Sequence, residues 1–139
     1  MTIESMLLRD EGLALMPYHD TRGILTIGVG RAIGRVGITR GEALYLLNND
    51  IGRVQRELRA CLPVYAVVDP IRQTVLENMA FNLGTAGVCE FRRMIAALGE
   101  GQYARAAREM LSSSWARQVG DRALRLADLM AHGTITQRM

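Results

Sequence analysis

The chain contains 139 residues, of which 49% are hydrophobic, and its formal net charge is +3. This length and composition predict one compact domain with a buried core and exclude a disordered chain. No apolar run approaches the length of a membrane-spanning helix. All 17 lysine or arginine residues are arginine. The arginine excess in the last third of the chain predicts a surface that attracts anionic polymers, but it does not indicate which polymer.

The first 30 residues predict a helix followed by a β-hairpin. An apolar stripe at helical spacing ends at Gly12, which suits a C-terminal helix cap. The following segment mixes β-branched and aromatic residues with a polar turn at Asp20–Gly23, a pattern that suggests a hairpin. We therefore expect Glu11 at a helix end and Thr26 on the returning strand.

Glu11 and Asp20 are candidate catalytic residues, because two carboxylates on different rigid elements are what glycoside hydrolysis requires. One carboxyl group donates a proton to the leaving oxygen, and the other activates water or attacks the sugar carbon. Spacing alone does not separate such a pair from two solvated surface acids, since most Glu and Asp side chains are exposed.

The remainder of the chain predicts helices. Thr39 to Glu42 forms a capping box that opens an amphipathic helix over about residues 40–59. Asp69-Pro70 is an N-cap followed by proline at the first helical position, and this core helix ends at Gly84. Three further helices are predicted over Phe91–Leu98, over Tyr103–Leu111 and from Gly120 onward, the last with core contacts at Leu124, Leu126, Ala127 and Met130.

The chain contains two cysteines and one tryptophan. Cys61 and Cys89 are too few for a disulfide framework, and we interpret them as two buried free thiols, although a bond between them stays open. Trp115 is interpreted as a buried packing residue, with stacking on a sugar as the alternative.

Three strings near the N-terminus carry a family resemblance. They are Asp-Glu-Gly-Leu at residues 10–13, Tyr-His-Asp-Thr-Arg-Gly at 18–23 and Leu-Thr-Ile-Gly-Val-Gly at 25–30. Together they resemble the active-site region of the phage-type lysozymes, the endolysins of glycoside hydrolase family 24. The resemblance implies that Glu11, Asp20 and Thr26 form the catalytic set.

The resemblance also implies an α+β, mainly helical, lysozyme-like fold in a single domain over residues 1–139. A small β-containing lobe is expected over about residues 12–38 and a connecting helix over about 39–60. The helical lobe is expected over about 61–139, packed with the helix of residues 1–11.

Four substrate-binding residues follow from the same resemblance. Phe81 and Asn82 stand where the family borders the saccharide cleft, although packing in the core is an equal alternative for Phe81. Ala32 stands where a larger apolar residue lines the substrate site. Arg122 matches a family arginine that pairs with the catalytic Glu. No metal or organic cofactor is needed.

The implied reaction is hydrolysis of the β-1,4 bond between N-acetylmuramic acid and N-acetylglucosamine in peptidoglycan, leading to wall breakdown and host lysis. Glu11 would be the general acid, while Asp20 and Thr26 would place a water on the opposite face of the sugar, which gives inversion. The partner is the glycan strand, and we expect a monomer that neither binds nucleic acid nor inserts stably in a membrane. The start of the chain lacks a secretion signal, so we expect synthesis in the host cytoplasm and release by a holin-type route.

Two other functions compete with this one. A non-catalytic wall-binding domain of the same fold would bind peptidoglycan without turnover, but it has no need of an acid and a base together. A basic helical module for nucleic acid would show an affinity for polyanions that falls steeply with salt. The arginine excess is modest and lacks a recognition motif.

Overall fold

The computed structural model describes residues 1–133, so the last six residues of the predicted helical lobe lie outside the described part. It has the predicted α+β class, with a two-stranded antiparallel sheet near the N-terminus and helices through the rest of the chain. Two compact units are present, an N-terminal unit, Met1–Leu46, and a C-terminal unit, Leu47–Met139. The single domain and the packing of the first helix stay predictions.

The N-terminal unit begins with a short helix and a hairpin, as the sequence predicts. Thr2 caps the first helix, because its hydroxyl accepts from the Ser5 N–H and the Ser5 hydroxyl accepts from the Thr2 N–H. Gly12 ends that helix with a positive φ of 75°, and its N–H donates to the Leu8 carbonyl. The elements of this unit are α1 (Ile3–Glu11), β1 (Ala14–His19), β2 (Leu25–Gly28) and α2 (Ile33–Val36).

The two strands pair antiparallel, with Tyr18 opposite Thr26 and an irregularity in register between Ala14 and Tyr18. Beyond β2 the chain folds back at once. Ile27 and Arg31 exchange two backbone hydrogen bonds, of 2.9 and 3.0 Å. The residues between them therefore form a tight turn that is closed on both sides.

Helix α3 (Arg40–Cys61) is the long helix that the capping box predicts. The Thr39 N–H donates to Glu42 Oε1 at 2.8 Å, and the Glu42 N–H donates to Thr39 Oγ1 at 3.1 Å. These reciprocal bonds satisfy two backbone donors that a helix start leaves without partners.

The C-terminal unit is helical. Asp69 caps its first long helix by accepting from the Arg72 N–H, and Gly84 ends that helix, both as predicted. After a 3₁₀ turn at Pro63–Ala66, the helices are α4 (Pro70–Leu83), α5 (Thr85–Cys89), α6 (Arg92–Gly99), α7 (Tyr103–Leu111), α8 (Ser114–Val119) and α9 (Asp121–His132). Within residues 1–133 no helix is both long and apolar enough to cross a bilayer.

The core of the C-terminal unit is aliphatic and rich in methionine. Leu126, Ala127 and Met130 on α9 are buried as predicted, whereas Leu124 is 58% exposed, so its prediction as a core contact is wrong. The fully buried side chains include Leu58, Val75, Leu76, Met79, Val88, Met94, Met110 and Met130.

Short helices at α2, α5 and α8 were not predicted, because four to six residues give little periodicity to read. The start of α8 does have a local signal, since Ser113 accepts from the Ala116 N–H as an N-cap. The predicted burial of both thiols is wrong for Cys61. That residue is exposed at the end of α3, whereas Cys89 is partly buried, and both are free.

Candidate active site

Glu11 is the last residue of α1, at the helix end where the sequence predicts it. Glu11 is exposed, and its carboxyl group lies against the backbone of Gly30. A Cβ built on Gly30 would be 2.6 Å from Glu11 Oε2 and 2.9 Å from Glu11 Cδ. The carboxyl group therefore occupies space that any other residue at position 30 would fill.

Asp20 closes the hairpin turn. Its Oδ1 accepts the backbone N–H of Arg22 at 2.8 Å and that of Ile24 at 2.9 Å. The Asp20 N–H also donates to the Ile24 carbonyl, and the Gly23 N–H donates to the Asp20 carbonyl. This is the side-chain-to-backbone bonding that makes Asp a turn residue, and it holds the carboxylate by one oxygen.

The environment of Asp20 favours the carboxylate. The Ile24 N–H does most to lower the pKa of Asp20 from its ordinary value, burial opposes it, and the Arg22 N–H adds to the lowering. The positive charges of Arg22 and Arg35 act in the same direction. Hydrogen bonds and nearby positive charge both stabilise the ionised form, so Asp20 is a carboxylate near neutral pH.

Thr26 is buried on β2, with 3% of its surface exposed. Its hydroxyl donates to the Ile24 carbonyl at 2.8 Å. Because the hydroxyl proton is engaged there, the oxygen has its lone pairs left to accept a hydrogen bond. Asp20 and Thr26 are thus fixed by the same residue, Ile24, through its N–H and its carbonyl.

The predicted substrate-binding residues occupy different settings. Ala32 is the N-cap residue of α2, where its carbonyl accepts the N–H groups of Arg35 and Val36. Phe81 on α4 is 47% exposed, so the core-packing alternative for this ring is wrong.

Asn82 is bonded to Trp115. The indole Nε1–H donates to Asn82 Oδ1 at 2.9 Å, which leaves the Asn82 amide group free to donate. Trp115 is 3% exposed and packs edge-to-face on Phe91, with ring centroids 6.1 Å apart. The prediction that Trp115 is a buried packing residue is confirmed, and its indole has a partner, as buried indoles usually do.

Arg122 on α9 is held by Asn78. The Arg122 Nε and Nη2 atoms donate to Asn78 Oδ1 at 3.0 and 2.8 Å. Both residues line a cavity of about 240 Å³, whose wall also contains Phe81. The predicted pairing of Arg122 with the catalytic Glu stays a prediction.

Within residues 1–133 no three His, Cys, Asp or Glu side chains are grouped so that they could hold a metal ion.

The sequence profile of the phage lysozyme family matches residues 9–131. This match includes nearly all of the described chain and each of the candidate residues. The chain belongs to the phage lysozyme family. Membership supports a peptidoglycan-degrading glycosidase and confirms the expected lysozyme-like fold.

Individual proteins show the same likeness. The chain is 33% identical to the pre-baseplate central spike protein of Enterobacteria phage T4, over 97% of this chain and 28% of that protein. It is 28% identical to a probable T4-type lysozyme of Dictyostelium discoideum, over 96% of each chain. It is 31% identical to the SAR-endolysin of Escherichia phage Mu, over 79% of this chain and 64% of that protein.

This phage lysozyme family member therefore spans 28% of the length of the spike protein and 64% of that of the endolysin.

Two relevant residues escaped prediction from the sequence. Gly30 ends the Leu-Thr-Ile-Gly-Val-Gly string, and nothing in the string indicates a contact with Glu11. Asn78 contacts Arg122 across 44 positions of the chain. Such a contact has no local signal at all.

Proposed function

We propose that this chain hydrolyses the β-1,4 bond between N-acetylmuramic acid and N-acetylglucosamine in peptidoglycan. Glu11 acts as the general acid and Asp20 as the base that activates water, with Thr26 helping to hold that water. The three residues belong to one unit, Met1–Leu46, in which a helix end and a hairpin carry the two carboxylates.

The observation that carries the proposal is the hydrogen bonding of the Asp20 carboxylate, which leaves one oxygen available. Its Oδ1 takes both backbone hydrogen bonds of the turn, and no other hydrogen bond to this carboxylate is present within residues 1–133. Oδ2 is therefore available to a water molecule while the group as a whole is kept ionised. A base for water needs both properties.

Glu11 supplies the proton in this reaction. As the glycosidic bond breaks, the leaving sugar oxygen takes the proton of the Glu11 carboxyl group, and the water proton passes to Asp20. The Thr26 hydroxyl oxygen accepts a hydrogen bond from the same water, since its own proton is bound to Ile24.

Inversion at the anomeric carbon follows if water attacks from the face opposite the leaving group. In the retaining alternative Asp20 would attack the sugar carbon itself and a covalent intermediate would form.

The glycan strand is the proposed partner. Phe81 offers an exposed aromatic face for a sugar, and the free amide donors of Asn82 suit a hydroxyl or an acetamido oxygen. Arg122 and Ala32 stay as proposed binding residues by family position.

Host lysis is the proposed biological role, supported by the likeness to an endolysin. The likeness to a phage spike protein favours a second role, local opening of the wall by a phage particle. Both roles use the same reaction. We expect the chain to act as a monomer.

Product analysis tests the reaction. Purified peptidoglycan is digested in water enriched in ¹⁸O, the new reducing ends are reduced with borohydride, and the fragments are analysed by mass spectrometry. We expect labelled muramic acid at the reducing ends and, by proton NMR at early times, the α-anomer. Glucosamine reducing ends would contradict the proposed bond, and an initial β-anomer would contradict inversion.

A further inference from the structure

Gly28, the last residue of β2, and Gly30, in the turn that follows, have similar positive φ angles but different surroundings. Gly28 has φ +71° and Gly30 has φ +64°. A Cβ on Gly28 would meet nothing within 4 Å, whereas a Cβ on Gly30 would overlap the Glu11 side chain. Both positions therefore favour glycine because of their positive φ. Only at Gly30 does the absence of a side chain also leave room for the Glu11 carboxyl group.

The contact at Gly30 involves the whole end of the Glu11 side chain. The three atoms nearest to the missing Cβ are Oε2 at 2.6 Å, Cδ at 2.9 Å and Cγ at 3.0 Å. Real Cβ contacts essentially never fall below 3.0 Å. A methyl group at this position would therefore displace the carboxyl group.

The turn that presents Gly30 is rigidly held. Ile27 and Arg31 close it with two backbone hydrogen bonds. The Arg31 side chain is also hydrogen-bonded. Its Nε donates to the Gly37 carbonyl at 3.0 Å, and its Nη1 donates to Glu42 Oε2 at 3.1 Å. The backbone at Gly30 therefore cannot move away easily when a larger residue is introduced.

We propose that Gly30 is a positioning residue for the Glu11 carboxyl group. The inference rests on the proposed function, in which Glu11 is the proton donor. The bare Cα of Gly30 is a surface against which the carboxyl group lies, and the turn thereby sets where the proton is delivered. A displacement of about 1 Å at a reacting group is enough to reduce a rate about 100-fold.

Gly30→Ala is the test, with Gly28→Ala as the matched control. Both substitutions put an alanine at a similar positive φ, so both carry the backbone strain that such a φ causes. Only Gly30→Ala adds the overlap with Glu11. On solubilised peptidoglycan we expect Gly30→Ala to lower kcat at least about 10-fold more than Gly28→Ala does, with KM little changed. Equal losses in kcat would overturn the proposal.

Thermal unfolding gives a second readout that needs no activity. Because Glu11 is exposed and only the far end of its flexible side chain is displaced, we expect Gly30→Ala and Gly28→Ala to lower Tm by similar amounts. A loss of Tm in Gly30→Ala that is much larger than in Gly28→Ala, and that persists when each is combined with Glu11→Ala, would show that the backbone at position 30 is disturbed and would overturn the proposal.

The proposed role of Glu11 and the proposed role of Gly30 can be tested separately. If Glu11→Gln is as active as the wild type, the proposed role of Glu11 as acid is wrong, whatever the Tm values show. If Glu11→Gln is inactive but Gly30→Ala and Gly28→Ala are alike in kcat, the reaction stands and the role of Gly30 is wrong.

Discussion

The backbone N–H of Ile24 donates a 2.9 Å hydrogen bond to the carboxylate of Asp20, inside the turn that joins the two strands. The same carboxylate oxygen accepts from Arg22, so one oxygen builds the turn while the proposed base chemistry uses the other. Under this proposal Asp20 has a structural and a catalytic task on two different atoms. Substitutions can separate them.

Asp20→Asn keeps the oxygen that accepts the two N–H groups and removes the charge. We expect this variant to fold with a Tm close to that of the wild type and to lose at least about 100-fold in kcat, because the proposed base is removed. Asp20→Ala removes both features and should lower Tm as well. Measurements of Tm and initial rates on both variants decide the matter, and a large Tm loss in Asp20→Asn would contradict the division of tasks.

The stability that Asp20 contributes should depend on pH in a defined direction. Its pKa in the folded protein is lowered from the ordinary 3.8, chiefly by the Ile24 N–H. A group of this kind stabilises the fold above its unfolded pKa, and the contribution is lost as the pH falls through the folded value. The difference in unfolding free energy between wild type and Asp20→Asn should therefore be constant near neutrality and decrease below pH 3.8. Urea titrations from neutral to acid pH measure it, and a difference independent of pH would contradict the shift.

Features that depend on a few neighbouring residues could be predicted from the sequence. The hairpin turn at Asp20, the cap at Gly12 and the box of Thr39 and Glu42 are all encoded within four positions. In each case the side chain or the conformational freedom of one residue lets nearby backbone N–H or C=O groups form hydrogen bonds.

Contacts between distant parts of the chain could not be predicted in this way. Periodicity alone does not tell which apolar residue of α9 is exposed, and Leu124 is an example. The overlap between Gly30 and Glu11 depends on how a helix and a turn are placed in space. The family resemblance names candidate catalytic residues, but it does not describe the surfaces that hold them.

Arg72 is a buried cation that ties α4 to the end of α9. Its guanidinium donates to the carbonyls of Met130 and Ala131, pairs with Asp69 at 2.8 Å, and lies 3.4 Å from the centroid of the Tyr103 ring. The unpaired carbonyls at a helix end need such donors.

Arg72→Met should therefore lower the free energy of unfolding by about 2–4 kcal/mol, since buried acceptors lose a charged donor. Arg125→Met is the matched control, because Arg125 is exposed on α9, and its effect should stay within about 0.5 kcal/mol. Denaturant unfolding of both variants provides the values. Similar losses in the two would show that the contacts of Arg72 do not stabilise the fold.

The two cysteines should differ in reactivity. Cys61 is exposed, whereas burial, and to a lesser degree the neighbouring Cys61, raises the pKa of the Cys89 thiol. Because the thiolate is the reactive form, alkylation should proceed in a fast phase from Cys61 and a slow phase from Cys89 that accelerates as the pH rises. Cys89→Ser should retain only the fast phase and Cys61→Ser only the slow one. Equal rates in the two variants would contradict the assignment.

The central claim is that the carboxyl group of Glu11 delivers the proton in peptidoglycan hydrolysis. The most direct test compares wild type and Glu11→Gln in clearing a suspension of purified peptidoglycan, with binding to the same material and Tm measured in parallel. The amide keeps the shape of the side chain and cannot donate a carboxylic proton, so we expect normal binding, an unchanged fold and a clearing rate lower by at least about 100-fold. Clearing by Glu11→Gln at the wild-type rate would contradict the role of Glu11. Binding without clearing by either protein would contradict the enzyme itself and identify a wall-binding domain.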